Sequence, residues 1–257
     1  MSDFDANLVC VKGDNTNVGT FLCTLKPTTS TYTIDQSRAE NLIEFTITPA
    51  EVKNLIVDTG AVSGETPILK YSGNDVTPVF NAVTAVLGND RVSLSNDQYE
   101  VTPIQEVGRG KKCTVTLKTN SNFLNADKIS QVVTYDVAYD LATYMKLDKD
   151  SLEYANMDLS TSITMSLFDK SGSVVVPNVS KNTSGLKVLI NGLENQSVKE
   201  AGAYQVTIEP VNGESSIVEL GSNLFTGTFT GTFTVGLKKP NTFVVSATDM
   251  DIKKRVE

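Results

Sequence analysis

Short runs in which β-branched or aromatic residues alternate with threonine, serine or charged residues recur from one end of this chain to the other. The clearest are Thr114-Val115-Thr116-Leu117, Tyr204-Gln205-Val206-Thr207-Ile208 and Thr228-Phe229-Thr230-Gly231-Thr232-Phe233-Thr234-Val235. A period of two predicts strands that turn one set of side chains to a core and the threonines to the other face. Clusters of Gly, Asn, Asp and Ser separate the runs, which is the pattern of a β-sandwich. Helical signals are confined to Pro49-Ala50-Glu51-Val52-Lys53-Asn54-Leu55 and Ala138-Tyr139-Asp140-Leu141-Ala142-Thr143-Tyr144-Met145. Each allows about two turns at most, and each is equally compatible with linker or strand.

A shared order of features appears three times. First, Asn15-Thr16-Asn17-Val18-Gly19 leads into Phe21-Leu22-Cys23-Thr24-Leu25 and, after a polar loop, Phe45-Thr46-Ile47-Thr48-Pro49. Next, Gly108-Arg109-Gly110 leads into Cys113-Thr114-Val115-Thr116-Leu117, then Asn122-Phe123, then Val133-Thr134-Tyr135-Asp136-Val137. Finally, Ala201-Gly202 leads into Tyr204 to Ile208, then Asn223-Leu224-Phe225-Thr226-Gly227, then Thr232-Phe233-Thr234-Val235. Corresponding final strands lie roughly 90 to 100 residues apart, the length of one immunoglobulin-like sandwich. The expected organisation is a partial unit over 1–50, immunoglobulin-like domains over 51–139 and 140–239, and a C-terminal tail over 240–257.

Ahead of the second copy stand Ile68-Leu69-Lys70-Tyr71-Ser72-Gly73, Val76-Thr77-Pro78-Val79, Val92-Ser93-Leu94 and Asp97-Gln98-Tyr99-Glu100-Val101. This order resembles the immunoglobulin-like repeats of bacterial surface proteins and phage virion proteins. Those run Tyr-Thr-Gly, Pro-x-Val, Asp-Tyr-x-Val, Gly-x-Ala-x-Val-Thr-Ile, Gly-Asn-Tyr and Phe-x-Ile. The resemblance covers residues 66–138 and the second half of 140–237, with a partial copy before residue 50. The third copy departs from it in lacking a Tyr-Ser-Gly opening, and no Trp or paired Cys marks an antibody-type core. In overall character the chain is similar to auxiliary capsid proteins of crAss-like phages. The resemblance implies an all-β fold of tandem immunoglobulin-like sandwiches and a non-enzymatic auxiliary, or decoration, protein of a phage capsid. Its partners would be other virion proteins, above all the major capsid protein, with homo-oligomers also possible. The alternatives are an adhesin or carbohydrate-binding module of a bacterial surface protein, or a phage tail or head fibre.

With 257 residues, two domains or two and a fraction each have room for a core. A 40% hydrophobic and 20% charged composition is that of an ordinary globular chain rather than a disordered one. The net charge of -8 opposes binding to nucleic acid and to anionic membranes. Lys238-Lys239 and Lys253-Lys254-Arg255 are local exceptions, read either as solvated ends or as an arm for an acidic partner. The segment Met1-Ser2-Asp3-Phe4-Asp5-Ala6 lacks a secretory signal, so synthesis in a cytoplasm is expected, and the resemblance implies that this is a host cytoplasm and that the protein resides in a virion. Cys10, Cys23 and Cys113 are then expected to be thiols, with Cys23 and Cys113 buried in strands and no disulfide framework.

The chain has no histidine, which removes His-containing triads and His-ligated zinc or haem. Gly108-Arg109-Gly110 lacks a third glycine and a following helix, so it reads as a hairpin turn and not as a dinucleotide loop. The acidic groups Asp148-Lys149-Asp150, Asp249-Met250-Asp251 and Asp14-Asn15-Thr16-Asn17 lack the full spacing of a calcium loop. Asn178, Asn182 and Asn195 begin glycan-acceptor tripeptides that have no consequence without secretion. No catalytic residue, cofactor or metal is expected. Partner docking is assigned to Phe243, Val244, Val245, Lys253, Lys254 and Arg255, with Asn241 to Thr248 either adding a strand to a neighbouring sheet or closing its own domain. The incomplete leading unit must pack on the next domain, recruit the tail or be completed by another subunit.

Overall fold

The structure is a computed structural model that describes residues 6–10, 17–28, 30, 33, 35, 42–119 and 122–237. Strands take 52% of the residues and helix 5%, so the chain is all-β. It divides into two compact units, residues 1–69 with 74–137 and residues 70–73 with 138–257.

The first unit begins with a three-stranded antiparallel meander, β1 (Ala6–Cys10), β2 (Gly19–Pro27) and β3 (Leu42–Ile47). Then follow β4 (Ala50–Glu51), β5 (Asn54–Asp58) and β6 (Ile68–Tyr71), whose last two residues belong to the second unit. The remaining strands are β7 (Ala82–Leu87), β8 (Asp90–Ser93), β9 (Tyr99–Val101), β10 (Gly108–Leu117), β11 (Phe123–Leu124) and β12 (Ser130–Asp140), the last three residues of which belong to the second unit.

The sheet β5-β7-β8 and the ladder β9-β10-β12 supply the two faces of one core. Leu55, Val83 and Ala85 come from the first, and Tyr99, Val115 and Leu117 from the second, with Val52, Leu94 and Ala126 closing the margins. This is sandwich packing, in which alternate residues of two sheets interdigitate. Fully burying a residue such as Leu55 or Leu117 stabilises the unit by about 1.5–3 kcal/mol. β7 and β8 are joined through Gly88 and Asn89, with Leu87 opposite Asp90. Gly88 has φ +65°, a strained value for any residue with a side chain, at the first position of a two-residue turn.

Gly108-Arg109-Gly110 is not the expected hairpin turn. It opens β10 as a bulge, since the register passes from Gly108 opposite Val137 to Lys111 opposite Tyr135, leaving one extra residue on β10. Gly110 takes φ +64° there. The Asp136 carboxylate holds the bulge by accepting from the Gly110 amide at 2.9 Å and the Arg109 guanidinium at 2.8 Å. A Gly-x-Gly run marks a backbone that must leave the β region, and only the pairing partner decides between a turn and a bulge.

The second unit contains the single turn α1 (Leu141–Tyr144), β13 (Met145–Leu147), β14 (Ser151–Glu153), β15 (Met165–Phe168), β16 (Val174–Val179) and β17 (Leu186–Ile190). It ends with β18 (Gly202–Pro210), β19 (Val218–Leu220), β20 (Asn223–Thr226) and β21 (Phe229–Gly236). One sheet runs β14-β21-β18-β17 and a second β13-β15-β16, and α1 and β13 contact β21. Inward alternation along β18 and β21 buries Val206, Ile208, Phe233 and Val235. An aromatic cluster joins the chain around α1: Tyr139 lies 4.7 Å from Tyr144, 5.7 Å from Phe225 and 5.9 Å from Tyr71, ring centre to ring centre. The two helical candidates therefore resolve differently. Residues 50–51 and 54–58 are strand, while 138–145 hold one helical turn started by Asp140, whose carboxylate accepts from the Ala142 amide.

Cys113 is a free, buried thiol, as expected. Cys23 is not a thiol but is disulfide-bonded. The register sets Cys10 directly opposite it across β1 and β2. Opposed residues of an antiparallel pair have Cα atoms about 4.5–5.5 Å apart, within the range a disulfide spans. Sequence spacing does not reveal which cysteines a register will oppose.

Tyr135 lies on the same inward face as Cys113, diagonally across the β10–β12 ladder. Its hydroxyl is buried without a hydrogen-bond partner among the described residues. Burial, and secondarily Cys113, pushes its pKa up to about 12. An unpaired buried hydroxyl costs about 1–3 kcal/mol. Tyr135→Phe, which keeps the ring, is expected to stabilise the protein by about 1 kcal/mol, read as an increased urea midpoint with unchanged slope.

Candidate assembly site

In the N-terminal sheet, Phe21 pairs with Phe45, Cys23 with Ile43 and Gly19 with Ile47. Because side chains alternate across the pleat, Phe21, Cys23, Ile43, Phe45 and Ile47 share one face, and Thr20, Leu22, Glu44 and Thr46 share the other. On the first face the Phe21 and Phe45 rings stack with centres 5.4 Å apart. On the second the Thr20 and Thr46 hydroxyls share a 3.1 Å hydrogen bond.

Burial on the apolar face is uneven. Cys23 is 0% exposed, Ile43 is 39% exposed, and Phe21, Phe45 and Ile47 are half-buried. Leu22, on the other face, is 52% exposed. β1 and β3 are the outer strands, and among the described residues neither pairs with another sheet. An edge strand with apolar side chains offers both unpaired backbone groups and uncovered area to another chain.

A polar clasp built on Asn122 anchors this sheet within the first unit. Its side-chain carbonyl accepts from the Val18 amide at 2.8 Å, and its side-chain amide donates to Asn17 Oδ1 at 2.7 Å. The Asn122 backbone carbonyl accepts from the Ala50 amide at 2.9 Å, and the short parallel pairing of β4 with β11 follows directly. Asn122 thus holds the entrance to β2 and the exit from β3. Beneath it lies an open cleft of about 350 Å³ lined by Val18, Ile47, Ala50, Leu87, Val92 and Phe123, among others. The sequence offered Asn122-Phe123 only as a repeat landmark, and the clasp depends on residues more than a hundred positions away.

The predicted docking residues Phe243, Val244, Val245, Lys253, Lys254 and Arg255 lie outside the described residues, as do Lys238, Lys239, Asp14 and the Asp249–Asp251 pair. Asp148 accepts a 2.6 Å hydrogen bond from the Ser166 hydroxyl. Among the described residues no cluster of three or more Cys, Asp or Glu is placed to hold a metal ion, and no helix is long and apolar enough to cross a membrane.

One cluster in the second unit has catalytic-type chemistry. The Lys181 ammonium donates to Ser160 Oγ at 2.6 Å, beside Asp158. A serine activated by lysine is a known nucleophile arrangement, but Ser160 is 2% exposed, which leaves its hydroxyl no approach for a substrate. The Ser160 and Val198 amides, the donors that an oxyanion would need, both donate to Asp158 Oδ1, at 3.0 and 2.9 Å. The cluster instead ties the buried Val198 segment to the turn at Ser160. These amide bonds, with smaller help from Ser160 Oγ and Lys181, hold the Asp158 pKa down to about 2.

No protein-family model matches this chain, and no curated protein sequence matches it either.

Two outcomes follow from these contacts. Asn122→Ala removes two side-chain hydrogen bonds worth about 0.5–1.5 kcal/mol each. It is expected to accelerate amide exchange in β2 and β3 while leaving β10 protected, as read by hydrogen-exchange mass spectrometry. For Asp158 the folded pKa lies below the unfolded value near 3.9. Its stabilisation is therefore complete above the unfolded pKa and is lost as pH falls from about 4 toward 2. Asp158→Asn, which cannot ionise, is expected to flatten the dependence of the urea midpoint on pH across that window.

Proposed function

We propose that this chain is a non-enzymatic structural protein of a phage virion, an auxiliary capsid protein that attaches to the particle through its β-rich domains. The observation that carries the reading is the N-terminal sheet, which among the described residues has two open edges and a half-covered apolar face bearing Ile43, Phe45 and Ile47. Open strand edges invite pairing with another chain, and uncovered apolar area of this kind marks an interaction surface. Completion by another protein of the particle meets both needs.

The remaining architecture fits this role. The second unit uses its Ser-Lys-Asp cluster as a loop tie. The order of strand motifs resembles immunoglobulin-like repeats of virion proteins, so tandem immunoglobulin-like domains carrying an outward surface are part of the proposal. The disulfide at Cys23 suits a particle made in a host cytoplasm and then exposed to oxidising surroundings. The major capsid protein is the proposed partner. Weak contacts repeated over a symmetric lattice bind strongly through multivalency.

The test is to mix the purified chain with capsids that lack it and to image them by electron microscopy. Saturable, symmetric occupancy is expected, and Ile43→Asp is expected to reduce it at equal concentration. Absence of occupancy by the folded wild-type chain, together with binding to glycans, would replace this reading with that of an adhesin.

A further inference from the structure

We propose that residues 242–248 of a second copy of this chain add as a fourth strand along β3, completing the N-terminal sheet between neighbouring subunits. The proposal rests on the reading that this sheet is completed from outside its own chain, and it names the acceptor edge and the donor segment.

The acceptor is defined by β3. It is an outer strand of six residues, Leu42–Ile47, paired on one side by β2 through the full register from Thr24↔Leu42 to Gly19↔Ile47 and, among the described residues, unpaired on the other. Its odd positions, Ile43, Phe45 and Ile47, lie on the apolar face, and Glu44 and Thr46 lie on the polar face. Ile43 keeps 39% exposure although its register partner, Cys23, has none. The uncovered area thus lies on the edge side of the sheet, where an added strand would place its side chains.

The donor is defined by its alternation. Thr242-Phe243-Val244-Val245-Ser246-Ala247-Thr248 sets Phe243, Val245 and Ala247 on one face and Thr242, Val244, Ser246 and Thr248 on the other. β2 has the same form: Thr20-Phe21-Leu22-Cys23-Thr24 matches Thr242-Phe243-Val244-Val245-Ser246 residue class by residue class. A strand with that pattern extends the Phe21–Phe45 face with Phe243 and Val245 and extends the Thr20–Thr46 face with threonine and serine. Its seven residues span about 23 Å, enough to cover β3 from end to end. Backbone pairing supplies affinity and the alternating side chains supply register, as in other cases of strand addition.

The leash is short. β21 ends at Gly236, and residues 237–241 reach at most about 17 Å, so the donor serves an immediate neighbour. Side-by-side copies on a particle keep that neighbour at high effective concentration. A tail-to-sheet contact is also heterologous, so it propagates from copy to copy into a ring or an open array.

The test uses the full chain. Sedimentation velocity over rising concentration is expected to show self-association, with amide exchange of residues 43–47 slowed in the associated form. Val245→Asp, which places a charge on the apolar face, and Val244→Pro, which distorts the donor backbone, are each expected to weaken association at least about tenfold and to restore fast exchange in β3. A synthetic peptide of residues 240–250 is expected to dissociate the wild-type assembly. A chain that stays monomeric up to its solubility limit overturns the proposal. So does association that both variants leave intact, or a monomer whose own tail protects β3. Capsid occupancy by a strictly monomeric chain would sink this inference alone, whereas tail-dependent association without capsid occupancy would sink the virion reading alone.

Discussion

A strand that alternates apolar and polar residues forms a sheet with one face that must be kept from water, and the whole of this structure is organised by that requirement. In the first unit the requirement is met where β5-β7-β8 and β9-β10-β12 turn Leu55, Val83, Val115 and Leu117 toward one another. In the second, β18 and β21, neighbours in one sheet, bury Val206, Ile208, Phe233 and Val235 on their shared inward face. The N-terminal meander has the same alternation and no second sheet among the described residues that encloses it fully, so Ile43 stays partly open. The proposed function grows from that one unmet condition, since a half-covered face and edges left open among the described residues invite another chain.

Loops here are held by short side chains reaching the backbone. Asn122 secures the entrance to β2 and the exit from β3, Asp136 secures the β10 bulge, and Asp158 collects the Ser160 and Val198 amides. Each satisfies backbone donors that irregular chain would otherwise leave open. The Asp158 case shows how such a clasp resembles a catalytic site in residue type while differing in access. A serine, a lysine and an acid converge, yet the hydroxyl is buried and the amides are occupied.

The strands that were legible from sequence are those with long, uninterrupted alternation: β10 through Val115 and Leu117, β18 through Tyr204 to Ile208, and β21 through Phe229 to Val235. β5 and β7 were harder to see, because Asn54–Asp58 and Ala82–Leu87 are short and apolar with little contrast between neighbours. The glycine at position 88, flanked by β7 and β8 in a two-residue turn, was the signal that could have found that hairpin. Pairing-dependent features were not legible at all. The bulge at Gly108, the opposition of Cys10 and Cys23, the Asn122 clasp and the Asp158 cluster all depend on which residues a fold brings side by side. Local patterning fixes a strand's faces but not its neighbours.

Register gives the N-terminal sheet its last significance. A slip of one residue between β2 and β3 would move Phe21, Ile43, Phe45 and Ile47 from one face to the other relative to their partners, and the acceptor edge would lose its apolar side. Two features oppose that slip, while the bond at Cys23, with Cys10 opposite it on β1, concerns the β1–β2 register. The Phe21 and Phe45 rings stack across the β2–β3 pair. Asn122 holds Val18 before β2 and Ala50 after β3, which fixes both ends of the hairpin at once. A sheet needed only as filler would gain little from such restraint, because several registers would bury similar area. A sheet that presents an edge to another subunit gains a great deal, since the incoming strand must find its apolar positions at a constant height in every copy. A fixed register is therefore what the proposed assembly requires of this sheet.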